Sequence, residues 1–392
     1  MRRKALIAAM LGFVTAGLCA IATAAAETGV SADRILFGQA AVMEGPASSL
    51  GKGMQEGLLA AFAEANRRGG VKGRKLDLLS RDDGYEPKLS IEATHRLLDD
   101  DKVFALIGPV GTPTSAATQP VAAEAGAPFI GAFTGAEVLR QQDKTNVVNI
   151  RASYFQETET MVERLTKDLG VTRIAVFYQD DAFGRAGLAG AQRALERRKM
   201  NLVAEGSYQR NTTAVKRALL DVRRGRPEAV IMVGAYKPCA EFIRLARRLE
   251  MDAVFVNISF VGSDALAAEL GRDGAGVVIT QVAPFPGDAK VPIVAQYRAA
   301  LAAANPAAKP GFVSLEGYIV GRATIAALES IAGEPDRKTL LSAFANMRNF
   351  DLAGLKLTFG PQRNQGMDQV FLTVIDADGA LRPVTSLKRA GE

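Results

Sequence analysis

Hydroxyl side chains crowd into one short stretch of this chain. Thr112, Thr114, Ser115 and Thr118 follow an apolar run, residues 103–107, that stops at Gly108-Pro109, and Pro113 stands where the first turn of a helix would begin. A helix start combines free backbone amides with the positive end of the helix dipole, and neighbouring hydroxyls add further donors. That combination suits an anion. A second apolar run, 128–130, ends in Gly131-Ala132-Phe133-Thr134-Gly135 and would bring another hydroxyl, Thr134, to the same edge. Pro120 lies inside the helix and forfeits the backbone bond to Ala116, so the regular helix is expected to begin after Thr114 or to kink.

Combinations that would point to catalysis fail on type or spacing. His95 is the one histidine and follows Pro87 on what reads as a surface helix, so histidine-based zinc sites and Ser-His-Asp machinery are not expected. Gly45 to Gly53 imitates a phosphate loop, yet five residues rather than four separate Gly45 from Gly51, and Gly53 replaces the hydroxyl that reaches magnesium. Gly184, Gly187 and Gly190 lack the dinucleotide spacing and read as close helix packing. No enzyme activity, metal or cofactor is expected. The acid pairs Asp82-Asp83 and Asp180-Asp181 fall in loops after strands, where turn capping is the first expectation and ligand contact the second. Aromatic residues also gather at strand ends: Tyr85, Phe183 and Tyr236 would wall a small-molecule pocket, and Tyr318 is balanced between pocket and core.

Positioning these groups requires a scaffold of alternating strands and helices. Strands are expected at 35–41, 74–81, 103–107 and 128–130, with helices between; the pattern then starts again with an extended stretch at 146–151 and strands at 174–178, 202–208, 229–233, 254–256 and 277–280. Short unalternating apolar runs joined by helices imply parallel sheets covered on both faces, so the fold class is α/β with two doubly wound lobes. Pro284-Phe285-Pro286-Gly287 breaks the pattern, and helices at 291–304 and 312–331 follow. Alternation at Leu355, Leu357 and Phe359 and the apolar run 369–375 read as a hairpin or a pair of edge strands. Lobe 1 is expected to comprise 30–148 plus 284–352, and lobe 2 149–283 plus 353–392. The chain would then cross between lobes more than once, as a hinge for clamshell closure does.

Residues 1–26 read as a cleavable export signal: Arg2, Arg3 and Lys4, an apolar run, then Ala24-Ala25-Ala26. Losing those three cations takes the formal charge from +6 to +3, too mild for nucleic acid. It also leaves Cys239 as the remaining cysteine, so no disulfide within the chain is expected.

The order of motifs resembles the type I periplasmic solute-binding proteins of the leucine/isoleucine/valine-binding family, which deliver ligands to ABC importers. The resemblance rests on the Gly45-Pro46 loop, Asn66 with Gly69-Gly70, Gly73-Arg74, Asp82-Asp83, Ile107-Gly108-Pro109, Thr118-Gln119-Pro120, Pro128, the segment after Gln179 and the helix around Tyr318. It implies a periplasmic monomer that works with membrane permease subunits. It further implies that Ser115 and Thr134, with Thr114 beside them, hold a ligand carboxylate, that the Ala132 carbonyl faces an ammonium, and that Leu50, Phe183 and Tyr236 line the pocket. In the family an acid after the 254–256 strand meets the ammonium. Here that loop is Asn257-Ile258-Ser259-Phe260-Val261, with no carboxylate before Asp264 and Ser259 in its middle. An ammonium buried without a counter-charge costs several kcal/mol. The expected ligand is therefore a small carboxylate, an aromatic or aliphatic acid first and a branched-chain amino acid second. A sensor of the same fold is the alternative role.

Overall fold

The computed structural model describes residues 27–387, and the expected export signal lies outside them. The first sheet holds β1 (Arg34–Ala41), β2 (Lys75–Asp82), β3 (Ala105–Ile107), β4 (Phe129–Ile130) and β5 (Val147–Val148). Its order is β2-β1-β3-β4-β5, with every pairing parallel. Helices α1 (Ser48–Arg67), α2 (Pro87–His95) and α3 (Thr112–Glu124) supply the crossovers. All three residues of β3 are buried, as a parallel strand covered on both faces requires.

A second set repeats the plan. Helix α4 (Tyr154–Leu169) leads into β6 (Ile174–Gln179), α5 (Ala182–Glu196), β7 (Ala204–Tyr208), α6 (Lys216–Arg224) and β8 (Ala229–Val233). There follow α7 (Tyr236–Arg248), β9 (Val254–Asn257), α8 (Ser263–Leu270) and β10 (Val278–Gln281). Local signals place α4 sharply. Ser153 caps it reciprocally with Gln156, and Gly170 ends it in the left-handed conformation at φ 63°.

The chain then returns to the first lobe as α9 (Pro292–Ala304), α10 (Phe312–Ser330) and α11 (Arg337–Asn346), with α9 and α10 packed on α1. A small hairpin, β11 (Phe350–Leu352) with β12 (Leu355–Leu357), stands as its own two-stranded sheet. Last come β13 (Phe371–Ile375) and β14 (Leu381–Val384), which extend the second sheet to β14-β13-β10-β9-β8-β6-β7. Alternation around 355–359 and the run 369–375 therefore belong to two hairpins rather than one. The reason is the exposed side of β10: β13 pairs antiparallel along it and covers what would otherwise be an open edge.

Three passages join the lobes: after β5, after β10 and after β12. The first and third run side by side. Asn149 bridges Gln365, and the Gly366 and Met367 amides donate to the Asn149 and Ile150 carbonyls at 2.8 and 2.9 Å. None of the described helices is long and apolar enough to cross a membrane.

Helix α3 corrects the expected late start. It begins at Thr112 with Pro113 in its first turn and runs through Pro120 to Glu124. Proline at the first turn has the right φ and lacks only an amide that would be unsatisfied there anyway. Pro120 forfeits one backbone bond, which the continuing helix tolerates.

Candidate functional site

The carboxyl end of β3 turns into α3 through Gly111, whose φ of 99° is open to glycine, and a Cβ there would meet the Tyr85 ring at 2.2 Å. That close approach seals the start of α3 in the interior. Thr112 and Thr134 share a hydroxyl–hydroxyl hydrogen bond of 2.6 Å, and the Thr134 oxygen also lies 3.3 Å from the Tyr154 hydroxyl. The Thr114 hydroxyl is turned back onto the Val110 carbonyl, so its one proton is already used. Ser115 differs. Its side chain is completely buried, and its hydroxyl has no hydrogen-bond partner among the described residues. A buried polar atom without a partner costs on the order of 1–3 kcal/mol unless something meets it. The Ala132 carbonyl, expected to face an ammonium, accepts from the Thr134 amide at 2.8 Å.

Across from this hydroxyl cluster lies the Ser259 loop, and the structure brings to it an acid that the local sequence lacks. Glu157, in the first turn of α4, accepts from the Ser259 amide and hydroxyl, both at 2.9 Å, and from the Thr280 hydroxyl at 2.5 Å. Arg151, three residues past β5, donates to Glu157 at 3.2 Å and to the Ser259 hydroxyl. It also stands 3.4 Å from the Glu316 carboxylate of α10. All three charged side chains are buried. One cation thus serves two carboxylates. Burial works to lower the Arg151 pKa, but the charges of Glu316 and Glu157 outweigh it and hold the guanidinium charged. The surplus negative charge falls on Glu316, which burial pushes up to about 7 against the pull of Arg151.

Sequence reading missed Arg151, Glu157 and Glu316. A signal was present for the acids. Glu157 keeps helical register with the buried Met161 and Leu165, and Glu316 lies in the apolar run of α10, so each is a carboxylate on a core-facing stripe. Such an acid needs a buried cation, and the extended segment that supplies it carries no periodic mark.

Aromatic side chains from both lobes surround this polar group. Phe260 packs against Phe183 with ring centroids 4.4 Å apart, against Phe133 at 5.3 Å and against Tyr85 at 6.1 Å. Tyr154 meets Phe183 at 5.6 Å, and the Arg151 guanidinium lies 5.0 Å from the Phe133 ring centre. Leu50 and Tyr236 approach each other beside Gly262, where a Cβ would lie 2.6 and 3.7 Å from them. Tyr318 is elsewhere. Its hydroxyl donates to Glu64 of α1 at 2.6 Å, which fixes it in the α1–α10 contact.

The rim joins the lobes through charge. Arg210, after β7, pairs with Glu86 at 2.7 Å and with Asp181 at 3.0 Å, and the Gln179 amide donates to the Tyr85 hydroxyl at 3.3 Å. The acid pairs act first as turn caps. Asp83 accepts from the Tyr85 amide at 2.9 Å, and Asp181 accepts from the Phe183 amide at 2.9 Å. Burial pushes the Asp83 carboxyl up to about 6. His95 is exposed and paired with Asp99, and Cys239 is buried with its thiol pushed up by burial.

A family model described as periplasmic binding protein matches residues 34–380. The Leu/Ile/Val-binding protein BraC3 of Rhizobium johnstonii is 27% identical over 339 residues, covering 83% of this chain and 87% of that protein. A possible leucine/isoleucine/valine-binding protein from Rhodopirellula baltica is 39% identical, with a TM-score of 0.87 over 92% of this chain and 98% of the other. A substrate-binding periplasmic protein from Ralstonia solanacearum is 27% identical, with a TM-score of 0.84 over 89% and 100%.

Proposed function

The chain belongs to the type I periplasmic binding proteins of the leucine/isoleucine/valine-binding family, and on that footing we propose that it holds a small carboxylate between its lobes for delivery to the membrane permease of an ABC importer. It is a binding protein and not an enzyme. The family works outside the cytoplasm, and an export signal at residues 1–26 fits that setting.

One observation carries the carboxylate. The Ser115 hydroxyl is buried and unpartnered at the start of α3, beside the Thr112–Thr134 pair. A carboxylate there accepts from Ser115, meets Thr134 and gains the helix dipole. It also removes the cost of an unsatisfied donor. The three passages between the lobes give closure its axis, and the Arg210 contacts give the closed form its rim.

Binding is tested by thermal shift against amino acids, aromatic acids and aliphatic acids, because a ligand of the folded state raises the melting temperature by mass action. Isothermal titration then compares the hit with the Ser115→Ala/Thr134→Ala double variant. The expected loss is about a hundredfold in affinity, from two charge-assisted hydrogen bonds. Unchanged affinity in the double variant would remove the carboxylate from this end of the cleft.

A further inference from the structure

Resting on the reading that the two lobes close over a ligand, we infer that Asp264 holds them shut: it is a carboxylate of the second lobe that caps a helix of the first. Its role is positioning, since it acts through two helix ends rather than on the ligand.

Helix α10, which packs on α1 in the first lobe, starts without a cap of its own. Its N-cap residue is Gly311, which has no side chain to offer, and no acid lies in its first turn. The amides at a helix start need acceptors from outside the helix, and that end carries partial positive charge. Tyr297 of α9 meets one of them, with its hydroxyl 2.9 Å from the Gly311 amide. The next is met from the other lobe. Phe312 donates its amide to Asp264 Oδ2 at 2.8 Å, and Asp264 stands in the first turn of α8, which follows β9 and packs on α7. Helix α8 likewise has a glycine, Gly262, at its N-cap and no side-chain cap. Two helix starts, one from each lobe, thus share one carboxylate.

Gly311 shows how close the fit is. A Cβ there would lie 2.8 Å from the same Asp264 oxygen, so a larger residue pushes the carboxylate off the Phe312 amide. The backbone does not ask for glycine, since φ is −147° and any residue adopts it. It is the approach of the opposite lobe that requires one. The contact is part-buried, so parting the lobes returns Asp264 and the Phe312 amide to water and strands no charge. Such a contact favours the closed form without straining the open one. It also lies apart from the Arg210 rim: Asp264 follows β9 and Arg210 follows β7, with β8 and β6 between those strands in the sheet. A residue that shifts the balance between open and closed forms scales affinity for every ligand by one factor, and it takes no part in choosing among them.

Closure is readable without a ligand. Glu86→Cys and Asn211→Cys place thiols where the two native side chains meet across the rim at 2.8 Å. The ratio of protein that a short bis-methanethiosulfonate reagent joins to protein that it labels twice follows the closed population. Cys239 is buried, with its thiol pushed up by burial, and does not compete. In this parent, Asp264→Ala should lower the ratio about fivefold, as loss of a helix cap does. Asp264→Asn should lower it about twofold, because an amide oxygen still accepts but brings no charge to the helix ends. Gly311→Ala should match Asp264→Ala, and the two together should do no more than either alone. Equal ratios in the parent and Asp264→Ala would overturn the shared cap and leave closure standing. A melting temperature lowered by about 2–4 °C in Asp264→Ala with the ratio unchanged would make Asp264 a fixed structural cap, which also overturns it. If the parent itself is never joined, the rim does not close, and the reading of closure falls with the inference.

Discussion

The Arg151 guanidinium lies 3.4 Å from the Glu316 carboxylate, with both side chains in the interior and the first passage between the lobes ending at Arg151. Glu157 accepts a hydrogen bond from the same guanidinium at 3.2 Å. One buried cation is therefore shared between an acid of α10, on the first lobe, and an acid of α4, on the second.

Glu316 makes stability depend on pH. Its folded-state pKa is raised from the ordinary 4.5 to about 7 by burial, so the folded protein binds a proton that the unfolded chain releases earlier. The stabilising contribution is fully present below pH about 4.5 and is lost as pH rises through about 7. Urea unfolding of wild type and Glu316→Gln across this window should show the difference. Wild-type stability should fall relative to the variant by on the order of 3 kcal/mol between pH 4.5 and pH 8. Parallel curves for the two proteins would mean that Glu316 is ionised throughout.

Arg151→Met should unfold more easily than any single surface substitution. It leaves Glu157 and Glu316 without their shared cation, a change that costs about 3–5 kcal/mol at a buried pair. Adding Glu316→Gln to Arg151→Met should recover part of the loss, and a double-mutant cycle by denaturant unfolding reads the coupling. Strict additivity would show that the pair does not interact.

Ser115→Ala should behave oppositely in two measurements. Its hydroxyl has no partner among the described residues, so removing it should leave the ligand-free melting temperature unchanged or slightly raised. Ligand affinity should fall by about tenfold, from one lost hydrogen bond to a charged group. A fall in ligand-free stability of more than about 1 kcal/mol would mean that the hydroxyl has a structural partner.

Arg210→Ala should act on residence time. The guanidinium ties Glu86 of one lobe to Asp181 of the other at the rim, and its side chain is 20% exposed. Partly solvated rim charges contribute modestly, so the dissociation rate should rise about threefold to tenfold. Stopped-flow displacement at low and high salt checks this, since wild type should approach the variant as salt rises. Identical off-rates at low salt would place the clamp outside the closed form.

Much of this architecture was legible from hydrophobic patterning alone. Unbroken apolar runs such as β8, buried at every residue, announce parallel strands, and helical spacing marks the covers between them. The start of α3 was also legible, because glycine, proline and clustered hydroxyls each have a local conformational meaning. What could not be seen was the polar partner across the cleft. Glu157 reaches Ser259 over 102 positions of sequence, and no local rule connects a first-turn glutamate with a loop so remote. Phe260 was likewise invisible as a junction of rings, because three of its partners lie on other elements of both lobes. Pattern reports which face of an element is buried. It does not report what that face meets.

The paired passages at Asn149 and Gln365 give the molecule a fulcrum, and Arg151 stands two residues from it. Glu86 and Arg210 follow β2 and β7, each at an end of its sheet's strand order, and β5, which leads into the first passage, closes the other end of its own sheet. In such a lever the load sits near the pivot and the latch sits at the tip of the arm. The proposed rotation would barely displace the groups around Arg151 while it carried the tips far apart. Mutations near the fulcrum should therefore tune which molecule is carried, whereas mutations at the tips should tune how long it is carried.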